Sequence, residues 1–109
     1  MERLELIEEM LKKNDKDVFL NYAAALEYHK IGEIKKSIGL LEHILDIDKS
    51  YLAAYYQLGK LYEEPDRLKK AIDVYRRGRK IASEQKDEKA LGELTESLMI
   101  LDDEFDGAW

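Results

Sequence analysis

Residues 52–85 read LAAYYQLGKLYEEPDRLKKAIDVYRRGRKIASEQ. Within them Tyr55, Leu58, Gly59 and Tyr62 recur at spacings of three and one, and Ala71, Tyr75 and Gly78 at spacings of four and three. Such spacing places each set on one face of a helix. Between the sets lies Glu63-Glu64-Pro65-Asp66. Proline disfavours helix for the residue before it, and Asp66 is placed to cap the helix that follows. The stretch predicts two helices joined by a short turn and packed antiparallel. Gly59, Ala71 and Gly78 let the helices approach closely, and the tyrosines fill the space around them.

Residues 18–51 align on this stretch without a gap, at a period of 34 residues. Ala25, Tyr28, Ser37 and Leu41 take the places of Gly59, Tyr62, Ala71 and Tyr75, and Gly32 sits in the turn. The period and the residues resemble the tetratricopeptide repeat (TPR), with its order of aromatic, Leu, Gly, Tyr, then Ala, aromatic, Ala, Pro. The second copy meets seven of those eight places, with Ser83 where the family has proline. The first copy departs at Asn21, Ala24, Ile44 and Lys49. The resemblance implies an all-α fold, a right-handed α–α superhelix of antiparallel helix hairpins with about six helices.

The flanks fit this scheme. Leu4, Ile7, Met10 and Leu11 form one apolar helical face, and Leu91, Leu94, Leu98 and Leu101 form another. Residues 1–17 then supply an N-terminal half-unit helix, 18–51 and 52–85 two repeats, 86–104 a capping helix and 105–109 a tail, all in one domain. The breaks are expected at Asn14-Asp15-Lys16-Asp17, Ile31-Gly32, Asp48-Lys49-Ser50 and Ser83-Glu84-Gln85-Lys86. Tyr28, Tyr62 and Tyr75 are expected in the core.

Composition closes off several classes. The chain has 109 residues, is 45% hydrophobic and contains no cysteine, which excludes a disulfide scaffold and argues against disorder. Its longest unbroken apolar run, Tyr51 to Tyr56, is too short to span a membrane. The start Met-Glu-Arg-Leu-Glu is not a secretory signal, so a cytoplasmic location is expected. The net charge of −6 is uneven: residues 1–66 carry −5, residues 67–80 carry +6 and residues 81–109 carry −7. No cysteine nucleophile, glycine-rich phosphate loop or His-Glu-x-x-His pattern is present, so no enzyme and no cofactor are expected. His43 and Asp46 share a helix face, but two ligands do not make a metal site.

What remains is binding. The resemblance implies a concave groove lined by the first helix of each unit, holding a peptide or helix of a protein partner. The candidate groove residues are Phe19, Tyr22, Leu26, His29 and Lys30 in the first unit, Tyr56, Gln57 and Lys60 in the second, and Leu91 and Leu94 in the capping helix. Family members that clamp chaperone C-terminal carboxylates use Lys, Asn and Arg at places that hold Tyr22, Leu26, Gln57, Asp87 and Leu91 here, so the cations of that clamp are absent. A second candidate surface is the basic patch Lys69, Lys70, Arg76, Arg77 and Lys80. It offers phosphate contacts, although the acidic pI near 5.0 weighs against nucleic acid. It also offers a site for the acidic segment Leu101–Trp109, whose Phe105 and Trp109 are apolar anchors. In that alternative the chain self-associates as a structural module.

Overall fold

The computed structural model describes residues 2–102. They form six α-helices: α1 (Arg3–Lys13), α2 (Val18–Lys30), α3 (Ile34–Ile47), α4 (Leu52–Glu63), α5 (Leu68–Gln85) and α6 (Glu88–Leu101). No strand occurs among the described residues. Phe105 and Trp109 lie outside them. The chain forms two compact units that divide between Ala54 and Tyr55.

In the first unit α2 packs against α3, and α1 packs against α2. Small residues set the approach of α2 and α3. Ala24, Ala25 and Ser37 are fully buried, and the Ser37 hydroxyl donates to the Ala25 carbonyl at 2.7 Å. Leu41, Ile44 and Leu45 complete this core. Gly32 ends α2 with a left-handed φ of 81°, and Glu33 N–H reaches back to the Tyr28 carbonyl at 2.9 Å. That is the helix stop expected of glycine at this place. Tyr28 differs from the expectation. It is half-buried, and its hydroxyl donates to Glu8 of α1 at 2.7 Å.

Asn21, which breaks the repeat pattern, has a structural role the pattern does not encode. It is 2% exposed, and its Nδ2 donates to the carbonyls of Asp15 and Asp17 at 3.0 and 2.8 Å. It therefore ties the α1–α2 connection to α2. Asn21→Ala should cost about 1–3 kcal/mol, because two side-chain hydrogen bonds in a partly buried place are lost, although the Asp17 carbonyl keeps the residue 21 backbone N–H. Urea denaturation monitored by circular dichroism reads this directly.

In the second unit α4 and α5 form the hairpin and α6 packs on α5. Tyr55, Leu58, Leu61, Tyr62, Ala71, Tyr75, Leu94 and Leu98 are all buried to 3% exposure or less. Two expectations are corrected here. Asp66 does not cap α5: it takes a left-handed φ of 58° in the turn, and Arg67 stands at the N-cap without a side-chain cap bond. The aspartate provides the chain reversal after Pro65 instead. The break expected over Ser83-Glu84-Gln85-Lys86 is narrowed to its last residue. The first three carry no helix breaker, so α5 runs through Gln85 and stops at the left-handed Lys86. Asp87 N–H then reaches the Ala82 carbonyl at 3.0 Å.

Candidate functional site

In the first unit the candidate residues lie on α2. Phe19 is 75% exposed, the most exposed large apolar side chain among the described residues. Tyr22 and Leu26 flank it and are half-buried. The Tyr22 ring meets Tyr51 edge-on, with centroids 5.6 Å apart. Burial, with Tyr51 second, pushes the Tyr22 phenol above the ordinary value. Lys30 pairs with Glu27 at 3.0 Å, and Arg3 joins the same carboxylate at 3.3 Å. Lys30 and then burial and Arg3 act on Glu27, and the net result is a lowered carboxyl pKa. His29 is half-buried on the same helix.

In the second unit the candidates lie on α4, and they form a tight polar–aromatic cluster. Lys60 Nζ lies 5.2 Å from the Tyr56 ring centroid and 5.8 Å from that of Tyr75. The two rings are 6.4 Å apart. Lys60 also stands 3.6 Å from Glu63, which accepts the Tyr75 hydroxyl. The ammonium is thus held over two aromatic faces and beside one carboxylate. Gln57 is half-buried beside this cluster in sequence. Burial first, and the Glu63 carboxylate second, hold the Tyr75 phenol far above its ordinary value of 10.0.

This has a consequence for pH. Below the ordinary tyrosine value the phenol is protonated in both states and its stabilisation is fully present. Above that value the unfolded chain releases a proton that the folded chain keeps, so stability falls as pH rises. Tyr75→Phe should make the alkaline loss of stability shallower, as read by urea midpoints on both sides of pH 10.0.

One of the two candidates on α6 needs correction. Leu94 is 1% exposed and packs into the core of its unit, so it is not available to a partner. The cause is a change of register. α2 and α4 start 34 residues apart, whereas α4 and α6 start 36 apart. α5 outlasts its counterpart by four residues, 18 against 14 in α3, and the connection that follows is two residues shorter, which leaves a net shift of two. The N-caps confirm the shift. Asp17 accepts from Leu20 N–H and Asp87 from Ala90 N–H, each at 3.0 Å and three residues on. With the caps aligned, Leu91, Leu94, Thr95 and Leu98 take the places of Tyr55, Leu58, Gly59 and Tyr62. Leu91 is half-buried. The side of α6 left open carries Gly92, Thr95, Met99 and Ile100, which with Leu91, Glu88, Glu96 and Arg79 line a groove of about 570 Å³. The two clamp places on this helix shift from Asp87 and Leu91 to Lys89 and Glu93, which adds one cation only.

The basic patch lies on α5, and several of its members have intramolecular partners. Arg76 pairs with Asp102 at 2.6 Å, and Arg77 with Asp73 at 3.5 Å. Lys70 lies 5.6 Å over the Tyr62 ring, and Arg77 5.8 Å over Tyr55. Lys69 and Lys80 are exposed. The ring of His43 lies 3.3 Å from the Asp15 carbonyl. Among the described residues no group of three or more His, Asp and Glu side chains is placed to hold a metal ion. No described helix is long and apolar enough to cross a membrane.

The chain is similar to the tetratricopeptide repeat domain protein of Salinibacter ruber, at 36% identity over 83% of this chain and 91% of that one, with a TM-score of 0.77. It is also similar to a protein from Bordetella parapertussis, at 23% identity over 93% of this chain and 88% of that one, with a TM-score of 0.80. A third similarity is to YrrB, described as a TPR protein with an unusual peptide-binding site, at 16% identity over 92% of this chain and 59% of that one, with a TM-score of 0.64. No family model and no curated protein matches the sequence.

Proposed function

The chain belongs to the tetratricopeptide-repeat family, and from that premise we propose that it is a non-catalytic protein–protein interaction module, holding a peptide or helix of a partner on the first helices of its repeats. The observation that carries the reading is Phe19. A phenylalanine left 75% exposed, next to Tyr22 and Leu26, contributes nothing to the core of its own unit. It is suited to act as an anchor, since aromatic side chains supply much of the affinity at interfaces. In the other unit Tyr56 and Lys60 offer a preformed aromatic and cationic pair, suited to a backbone carbonyl or a carboxylate of the partner. YrrB, which shares the fold, bears a peptide-binding site, and this supports the same use of the fold here.

The cations of α5 have a framing role in this reading. Arg76 holds Asp102 and Arg77 pairs within its own helix.

The test is a selection of random displayed peptides on the folded protein. Peptides bearing aromatic or branched apolar residues are expected. Phe19→Ser should weaken the selected peptides about tenfold, roughly 1.4 kcal/mol, with an unchanged denaturation midpoint. Tyr56→Ser should weaken them as well. Peptides that bind both variants as tightly as the parent would remove α2 and α4 as the binding surface.

A further inference from the structure

The two flanking helices each leave bare the side that, in the hairpins of this same chain, a partner helix covers. In the α4–α5 hairpin Tyr55 lies over Gly78 and Tyr75 over Gly59. In the α2–α3 hairpin Ser37 bonds to Ala25. α6 follows the register of a first helix, so Leu91 and Thr95 stand where Tyr55 and Gly59 stand in α4. That strip continues through Met99, 58% exposed, and Ile100, 70% exposed, and no described helix covers it.

α1 follows the register of a second helix, one 34-residue period before α3. Leu4, Ile7 and Leu11 take the places of Ile38, Leu41 and Leu45 and are its less exposed residues. Met10 takes the place of Ile44 and Gly78, both buried, yet it is 46% exposed. Leu6, on the same side, is 52% exposed. One helix therefore presents the apolar side of a first helix, and the other the apolar side of a second.

We infer that α6 of one copy pairs antiparallel with α1 of a second copy, the two completing one full repeat between chains. The occupant is argued from complementarity of shape and of charge. Transferring the α4–α5 contacts sets Leu91 against Met10 and Thr95 against Ile7, with Leu6 beside Ile7 and Met99 one turn beyond Thr95. It also brings Glu88, at the start of α6, to Lys13, at the end of α1. Arg3 lies within one turn of the level of Glu96, so a carboxylate of α6 meets a cation of α1 toward each end of the strip. Arg3 is 69% exposed while paired with Glu27 and keeps donors for a second carboxylate. The contact is heterologous: each copy offers one face of each kind. It uses none of Phe19, Tyr22, Tyr56 or Lys60, so it stands or falls apart from the peptide-binding reading.

Sedimentation of the whole chain at rising concentration tests it. The mass should grow with concentration and pass that of a dimer. Leu6→Glu and Met99→Glu should each sediment as monomers with the parent's helical signal and denaturation midpoint. Mixed together they should form a one-to-one dimer and stop there. The Leu6→Glu chain keeps an intact α6 face and the Met99→Glu chain an intact α1 face, which allows one contact and no more. Met10→Lys with Ile100→Glu repeats the experiment at two other exposed positions, should either first variant unfold. A parent chain that stays monomeric up to millimolar concentration overturns the proposal, as it would if residues 103–109 or solvent covered α6. A mixture that stays monomeric overturns it too. So does association lost in only one of the two variants, which would mean that like faces pair.

Discussion

Gly59→Ala is expected to destabilise the protein by about 1–3 kcal/mol, although alanine is the better helix former by nearly 1 kcal/mol. The sign is set by Tyr75. A Cβ on Gly59 would stand 2.2 Å from Cε1 of that ring, 2.5 Å from Cζ and 2.7 Å from Cδ1. The ring is fully buried, and its hydroxyl is held by Glu63. It cannot swing aside without giving up either burial or its hydrogen bond. Gly78→Ala should cost more still, because the Cβ there would meet Cβ of Tyr55 at 2.6 Å and Cγ at 2.9 Å. Cβ is fixed to the backbone, so relief requires α4 and α5 to separate. Gly39→Ala supplies the contrast. That glycine also lies inside a helix, but nothing stands within 4 Å of its would-be Cβ. Alanine there should stabilise by about 0.5–1 kcal/mol, through helix propensity alone. Urea denaturation of the three single variants checks this, and Gly59→Leu should be the worst of the substitutions at its site.

These glycines also show why so much of the fold could be read from the residues. Close helix approach leaves room for one small residue against one ring, and a chain that repeats this requirement must repeat the residues. Tyr55, Leu58, Gly59, Tyr62, Ala71, Tyr75 and Gly78 are written by that constraint and are buried as it demands. Gly32 was legible for a different reason, since a left-handed helix stop favours glycine. Asn21 was not legible. Its value lies in two backbone carbonyls of a turn, and no side-chain periodicity records where backbone carbonyls point. Tyr28 fits its place in the repeat, yet Glu8 of α1 draws its hydroxyl outward, a partner outside the repeat unit. The extension of α5 was hidden because helix ends are set by weak and local preferences. Ser83, Glu84 and Gln85 neither forbid nor demand helix, and a lysine can adopt the left-handed stop that glycine would have announced.

The extension of α5 changes which side of α6 is enclosed, because two residues of drift turn a helix by more than half a revolution and exchange its faces. Leu94→Ala reads out the register. The side chain is 1% exposed, and its Cδ1 lies 3.3 Å from where a Cβ on Gly78 would be. Truncating it should cost about 2–5 kcal/mol, the lost transfer energy plus the cavity left where α6 meets α5. Met99→Ala, five residues on and 58% exposed, should change stability by no more than about 0.5 kcal/mol. In the gapless register, with helix A of the third unit starting at residue 86, Leu94 would face the groove and its truncation would leave stability untouched. Equal and small effects at the two positions would therefore restore that register. A large loss at Leu94, with parent-like stability at Met99, fixes α6 as a first helix whose outer side is open. The acid test of that orientation is Leu98→Ala, since Leu98 stands where Tyr62 stands in α4 and is equally enclosed. It should fall with Leu94 rather than with Met99, because a helix can turn only one face to its neighbour.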